Sequence, residues 1–428
     1  MKIQISVFIR IIAFLVLLTS IASGQGTLVD TSFYSVSLVL YRNVDVYLPE
    51  GYDPDGSIDY PVVYFLHGAG GNQNTYPEII DVLDTLIENQ HIEPVIVVKP
   101  NGHIGPYAGS MYTNSELYGN FEDYIVYDLI DFIETSFRAI PEAEKRCVMG
   151  HSMGGIGSMK LALIHSDIYA GVAALSGALD LNIGTELWLP HIRVENGGSP
   201  PFNYSPFAGT FTLLTFTAAG AFSPNLDNPP FFVDFPLDTN GNMIDSVVNR
   251  WFEHNPANLA SSLPQESDLS IYFDCGTWDH LEFYPMNTAF ADTLDNLGIA
   301  YEFQSFGGDH YDPARLPIGL MFLDSIMHST TEIADNESDL PESFILSQNY
   351  PNPFNANTTI SYNLPTSSEV TLEIYDILGR KVRTLQNGIQ AAGSHSLIWN
   401  ADSFSSGTYF YRLTAGEYER AEKMILLK

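Results

Sequence analysis

Between residues 33 and 328, short apolar runs alternate with stretches of helical spacing. Residues 33–48 alternate and are rich in β-branched side chains, then stop at Pro49-Glu50-Gly51-Tyr52, which predicts one or two opening strands and a turn. The runs 61–66 (PVVYFL) and 95–98 (VIVV) are continuously apolar, as expected of strands buried on both faces. Residues 77–90 have helical periodicity. Residues 121–137 predict an amphipathic helix, with Ile125, Leu129, Ile130, Phe132 and Ile133 on its apolar side. A short strand at 147–149 leads into a turn and a helix over 155–165. Further strands are expected at 170–175, 271–275 and 301–306, and a helix at 313–327. Strand and helix in alternation predict an α/β domain, a mostly parallel sheet with helices on both faces.

Two stretches break this rhythm. Residues 185–268 are dense in Pro, Phe and Asn, including Asn228-Pro229-Pro230-Phe231-Phe232. An insertion of this length is either a lid or binding wall, or a surface excursion with its own small core. Within it, Asp238-Thr239-Asn240-Gly241-Asn242 lacks the ligand spacing and terminal Glu of a calcium loop and reads as a turn. Residues 329–343 are polar, acidic and aperiodic, a linker. Beyond them the pattern becomes short alternating strands at 358–362, 370–375, 395–399, 409–413 and 423–427, separated by glycine turns. That predicts a small all-β sandwich, immunoglobulin-like, over 344–428.

At the N-terminus, Lys2 and Arg10 precede the apolar run 11–18, and Ala22-Ser23-Gly24 offers small residues for cleavage. Residues 1–24 therefore read as a secretory signal peptide, with the mature chain starting near Gln25 and residues 25–328 forming the first domain. No later stretch is long and apolar enough to predict a membrane span. The 45% hydrophobic and 13% aromatic content suits packed cores. Net charge is −33, which argues against a nucleic-acid partner. Residues 344–428 hold 7 basic and 7 acidic residues, so the acidity belongs to the first domain and the linker. Export permits a disulfide, but Cys147 and Cys275 lie on strands that the expected topology does not make neighbours. Two buried free thiols are expected.

Chemistry enters at Gly150-His151-Ser152-Met153-Gly154, a G-x-S-x-G pattern on the expected strand-to-helix turn. Such a turn projects the serine hydroxyl, and its glycines are there because a Cβ would not fit. A serine nucleophile needs a base, and the base needs an orienting acid. Asp279 and His310 each follow a strand, in the order serine, acid, histidine, at the sheet end where active sites form. In this reading Ser152 attacks an acyl carbonyl, His310 relays the proton and Asp279 fixes the imidazole. Asp274 and Glu282 compete for the acid's place. Asp309 reads as a loop residue and His151 as a packing or wall residue. The oxyanion needs N–H donors: Met153, at the start of the following helix, and one from His67-Gly68-Ala69-Gly70-Gly71, where Ala69 is favoured. Trp278, Tyr112 and Phe283 are either acyl-pocket lining or core. No metal or organic cofactor is implied.

These motifs resemble a known family. Val46-Tyr47-Leu48-Pro49-Glu50-Gly51-Tyr52, Tyr64-Phe65-Leu66-His67-Gly68-Ala69-Gly70-Gly71, Gly150 to Gly155, Cys275-Gly276-Thr277-Trp278-Asp279 and Gly308-Asp309-His310 are similar to the esterase D-like branch of the α/β-hydrolases, with Asp309 standing where that branch commonly has Gly. The branch includes feruloyl and acetylxylan esterases, S-formylglutathione hydrolase and mycolyltransferases. Separately, Leu346-Ser347-Gln348-Asn349-Tyr350-Pro351-Asn352-Pro353-Phe354-Asn355, Ile374 to Arg380, Gly407 to Arg412 and Lys423 to Lys428 resemble the C-terminal sorting domain of the type IX secretion system. That resemblance implies a Bacteroidetes-type host, handling by the type IX machinery through 344–428, and a secreted or cell-surface protein. The expected function is a serine carboxylesterase acting through an acyl-enzyme on feruloyl or acetyl esters of polysaccharides. An acyltransferase with the same triad and a non-catalytic surface-binding protein are the alternatives.

Overall fold

The computed structural model describes residues 25–328 except 106 and 265, and residues 344–428 except 350, 351, 367, 391, 392, 402 and 417. The signal-peptide and linker expectations fall outside the described residues. The chain divides into two compact units, Met1–Thr330 and Thr331–Lys428.

The first unit opens with β1 (Thr27–Ser35), β2 (Leu40–Leu48), β3 (Val62–Leu66), α1 (Ile79–Glu88), β4 (Ile96–Pro100) and the two-residue pair β5 (Asn114–Ser115) and β6 (Gly119–Asn120). It continues with α2 (Phe121–Asp123), α3 (Ile130–Ser136), β7 (Arg146–His151), α4 (Met153–Ile164) and β8 (Gly171–Leu175). Then come α5 (Leu181–Glu195), α6 (Thr210–Phe222), α7 (Asp245–Phe252), α8 (Pro256–Leu259), β9 (Ser270–Gly276), α9 (Phe283–Leu297), β10 (Glu302–Phe306) and α10 (Leu316–Met327). Eight strands make one sheet in the order β1-β2-β4-β3-β7-β8-β9-β10. Only β2 runs against the others.

The uninterrupted apolar runs follow from this burial on two faces. Along β3, Val62, Tyr64 and Leu66 enter one core, while Val63 and Phe65 enter the other. Ile79, Leu83 and Leu86 of α1 and Leu316, Leu320 and Leu323 of α10 close the second face. The first face takes α4, α9 and the helices of the insertion.

Several elements differ from the sequence expectation. The helix at 121–137 is interrupted: α2 and α3 flank a π-helical segment, Tyr124–Leu129. Helix α9 was not expected, because Pro285 and polar residues hide its apolar positions Phe283, Met286, Phe290 and Leu294. Proline is tolerated there because it sits in the first turn. The insertion is helical and starts at Leu181, ahead of residue 185. Pro190 inside α5 and the run of Thr, Ala and Gly in α6 masked the helical period. Glu195 tethers the start of α6, accepting from the amides of Phe211 and Thr212 at 3.0 and 2.7 Å. Asp238 accepts from the amides of Asn240 and Asn242, both at 2.8 Å, which makes its segment a turn. Cys147 on β7 and Cys275 on β9 are buried free thiols with β8 between them.

The second unit has β11 (Ile345–Leu346), β12 (Asn357–Leu364), β13 (Ser368–Asp376), β14 (Lys381–Gln390), β15 (Gly393–Asn400), β16 (Gly407–Ala415) and β17 (Tyr418–Leu426). They form two sheets, β11-β12-β15 and β14-β13-β16-β17. Ile360, Tyr362 and Leu364 from one sheet share a core with Leu372, Tyr411 and Met424 from the other. Strand β14 was missing from the sequence expectation. Its residues KVRTLQNGIQ are mostly polar and it lies at a sheet edge, where one-sided burial leaves a weak hydrophobic signal.

Candidate active site

Strand β7 ends at His151, and the next residue reverses direction with φ 59° and ψ −116°. Ser152 is thus held at a positive φ outside the allowed regions for a residue with a Cβ, a costly conformation that only tight surroundings maintain. The glycines explain how. A Cβ on Gly154 would sit 1.9 Å from the Leu66 carbonyl oxygen, and one on Gly150 would sit 2.2 Å from the Gly154 oxygen. Helix α4 therefore starts directly against the end of β3.

Asp279 and His310 lie on the turns after β9 and β10, beside Ser152. The Ser152 hydroxyl is 2.8 Å from His310 Nε2, and His310 Nδ1 is 2.8 Å from Asp279 Oδ2. Nδ1 faces a carboxylate and carries the proton, so Nε2 accepts from the serine. The other Asp279 oxygen accepts from the Leu281 amide at 2.8 Å, which fixes the carboxylate plane. Asp274 is not available to the histidine. It is wholly buried, bound by Arg315 Nε at 2.8 Å and the Tyr272 hydroxyl at 2.9 Å, and burial raises its pKa against the pull of Arg315. Glu282 pairs with His191 at 3.1 Å.

Asp309 braces the two loops. Its Oδ1 accepts from the His310 amide at 2.7 Å, and from the His280 amide and ring at 3.0 and 2.7 Å. The His280 hydrogen bond holds its pKa well below the carboxylate range. Asp279, His280 and Asp309 are also the one group of metal-ligand type among the described residues, with atoms within 4.8 Å of one another. Each is already engaged with another of the three or with His310.

His151 does more than pack. Its Nε2 donates to the His310 carbonyl at 2.8 Å, and its Nδ1 accepts from the Tyr76 hydroxyl at 2.6 Å. Burial, with the nearby His310, brings its pKa down to about 3, so the ring is neutral. His67 is also neutral, with burial lowering its pKa to about 4. It bridges the loop after β3 to the Gly102 amide at 2.9 Å. The roles of His151 and Tyr76 have no sequence signal, because residues 76, 151 and 310 meet only in the fold.

Beside Ser152, Ala69 and Met153 line the mouth of a cavity of about 840 Å³, mouth included. Their amides donate to no group of the described residues. The cavity runs under α5 and α6 past Trp188, Leu214, Ala218, Phe222 and Trp251. Of the three aromatic candidates, Phe283 lines it and stacks on Trp188 at 5.8 Å. Tyr112 is core, its hydroxyl donating to the His67 carbonyl at 2.9 Å. Trp278 is 75% exposed and does not line the cavity.

A family model described as "Putative esterase" matches residues 35–314, and one described as "Secretion system C-terminal sorting domain" matches residues 348–427. The chain is 34% identical over 143 residues to an esterase of Mycobacterium tuberculosis, covering 32% of this chain and 29% of that protein. It is 30% identical over 163 residues to an endo-1,4-beta-xylanase/feruloyl esterase of Xylanibacter ruminicola, covering 36% of this chain and 22% of that protein. The chain thus spans less than a third of the length of these relatives. A solved ferulic acid esterase matches with a TM-score of 0.52 at 21% identity, covering 71% of this chain and 99% of that one. The first unit has the α/β-hydrolase fold. The sorting domain makes the chain a secreted or cell-surface protein. Among the described residues no helix is long and apolar enough to cross a membrane.

Proposed function

Since the chain belongs to the esterase family matched over residues 35–314, we propose that it is a serine carboxylic ester hydrolase working through an acyl-enzyme. The observation that carries this reading is the unbroken chain from Ser152 through His310 to Asp279, with both contacts at 2.8 Å. In the first step Ser152 Oγ forms a bond to the acyl carbon and its proton passes to His310 Nε2. The Ala69 and Met153 amides hold the resulting oxyanion. The ester C–O bond then breaks, and the alkoxide leaves with the proton from His310. Water enters, gives a proton to His310 and releases the acid by the reverse route. Asp279 keeps the imidazole in the tautomer this needs and stabilises its charged form. The xylanase/feruloyl esterase among the relatives supports an ester carried on a polysaccharide, with the acyl group set by the cavity beside Ser152.

Ser152→Ala is expected to lower kcat for p-nitrophenyl acetate at least 10³-fold with the fold intact, read from initial rates and circular dichroism. Hydrolysis at the wild-type rate in that variant would remove the serine from the mechanism. A second reading, transfer of the acyl group to an alcohol, is favoured by the apolar cavity beside Ser152, which offers water few partners. Products formed in the presence of added alcohols or sugars separate the two readings. For the tail, the two sheets around Tyr411 and Trp399 support an immunoglobulin-like sandwich that hands the chain to the type IX machinery.

A further inference from the structure

We propose that the acyl group this enzyme accepts is an unsubstituted aliphatic chain several carbons long, held in the cavity under α5 and α6. The inference rests on the ester-hydrolase reading and specifies its substrate. Two observations carry it.

The first is the chemistry of the walls. No residue lining the cavity is charged, an amide or a histidine. The few polar groups of its Trp and Thr side chains have already given their protons to partners within the chain. Trp188 Nε1 donates to the Leu281 carbonyl at 2.9 Å, and Trp251 Nε1 donates to Ser223 Oγ at 2.9 Å. The hydroxyls of Thr215 and Thr217 donate to the carbonyls of Phe211 and Leu213 at 2.7 and 2.9 Å. Thr185 donates to the Leu181 carbonyl at 3.2 Å. A phenolic hydroxyl carried inside would leave water for at most a threonine oxygen whose proton is already committed, whereas a methylene gains from leaving water. A site selective for a hydroxylated acyl group would present a free partner.

The second is direction. The leaving alkoxide takes its proton from His310 and so departs on the histidine's side of Ser152. There His280 and Asp309 are exposed, and so is Trp278. The cavity that opens beside Ser152, Ala69 and Met153 is thereby left to the acyl group. The cavity walls come from α4, α5, α6, α7 and α9, far more apolar surface than an acetyl group can cover.

The test is kcat/KM of the full chain for p-nitrophenyl esters from acetate to laurate, with p-nitrophenyl ferulate alongside. The expected result is a rise of about fourfold per added methylene until the cavity is filled, with octanoate at least tenfold above ferulate. Ala218→Phe narrows the cavity and is expected to lower the octanoate-to-acetate ratio at least tenfold. Leu214→Ala widens it and moves the optimum to longer chains. A series flat or falling beyond acetate, a preference for ferulate, or ratios unchanged in both variants would overturn the assignment. Hydrolysis of none of these esters, or its persistence in Ser152→Ala, would overturn the esterase reading and this one with it. A short-chain or feruloyl preference lost in Ser152→Ala would overturn the chain-length assignment alone.

Discussion

His310 is held at both ring nitrogens and at both ends of its backbone. Asp279 and Ser152 take the ring, Asp309 takes the amide, and His151 takes the carbonyl. The last contact depends on Tyr76, whose hydroxyl keeps His151 in the tautomer that donates to His310. Tyr76→Phe is expected to lower kcat about tenfold with little change in KM, measured by steady-state kinetics on a short ester. An equal loss in kcat and thermal stability would make the residue merely structural. His67 and His151 also set an acid limit. Their pKa values in the fold are about 4 and about 3, below the ordinary 6.5. The unfolded chain therefore binds more protons between those values and 6.5. Stability is complete above pH 6.5 and falls as pH drops towards 3, by up to about 1.4 kcal/mol per pH unit for each histidine. Urea unfolding at pH 7, 5.5 and 4.5 checks the slope. Ser152, Asp279 and His310 were legible because each follows a strand directly. Tyr76 was not, since nothing local marks a residue that acts 75 positions away.

Helix α6 forms one wall of the cavity, and the β5–β6 pair fixes its height. Ser115 Oγ donates to the Gly220 carbonyl at 2.6 Å, and the Tyr118 hydroxyl donates to the Thr217 carbonyl at 3.2 Å. A Cβ on Gly220 would stand 2.0 Å from the Tyr118 hydroxyl oxygen. Gly220→Val should push α6 off this support and cost about 1–3 kcal/mol. Activity on octanoyl esters should fall more than activity on acetyl esters, which chain-length kinetics and thermal melts together would show. The parallel strands were legible because burial on two faces writes a continuous apolar run. Helices α5, α6 and α9 were not, for a common reason. Each is apolar around much of its circumference or carries an internal proline, so the period that announces an amphipathic helix is lost.

At the scale of the whole chain, two units carry two tasks. Deleting residues 344–428 is expected to keep the protein inside a type IX-competent host, with activity against short esters in the cell lysate. Immunoblots and ester assays on medium, surface and lysate fractions test this, and normal export of the truncated chain would reject a sorting role for the tail. The boundary was legible in the change from helical to alternating pattern and in the charge, which lies wholly on one side. The route outward gives the two cysteines a meaning beyond packing. Burial pushes both thiols far above their ordinary pKa, and β8 stands between their strands. A thiol must ionise and be reached before an oxidant or another sulfur can attack it. Neither condition is met in the folded protein. It can therefore cross an oxidising compartment with no bond to make and none to shuffle, and should emerge equally active with or without reductant.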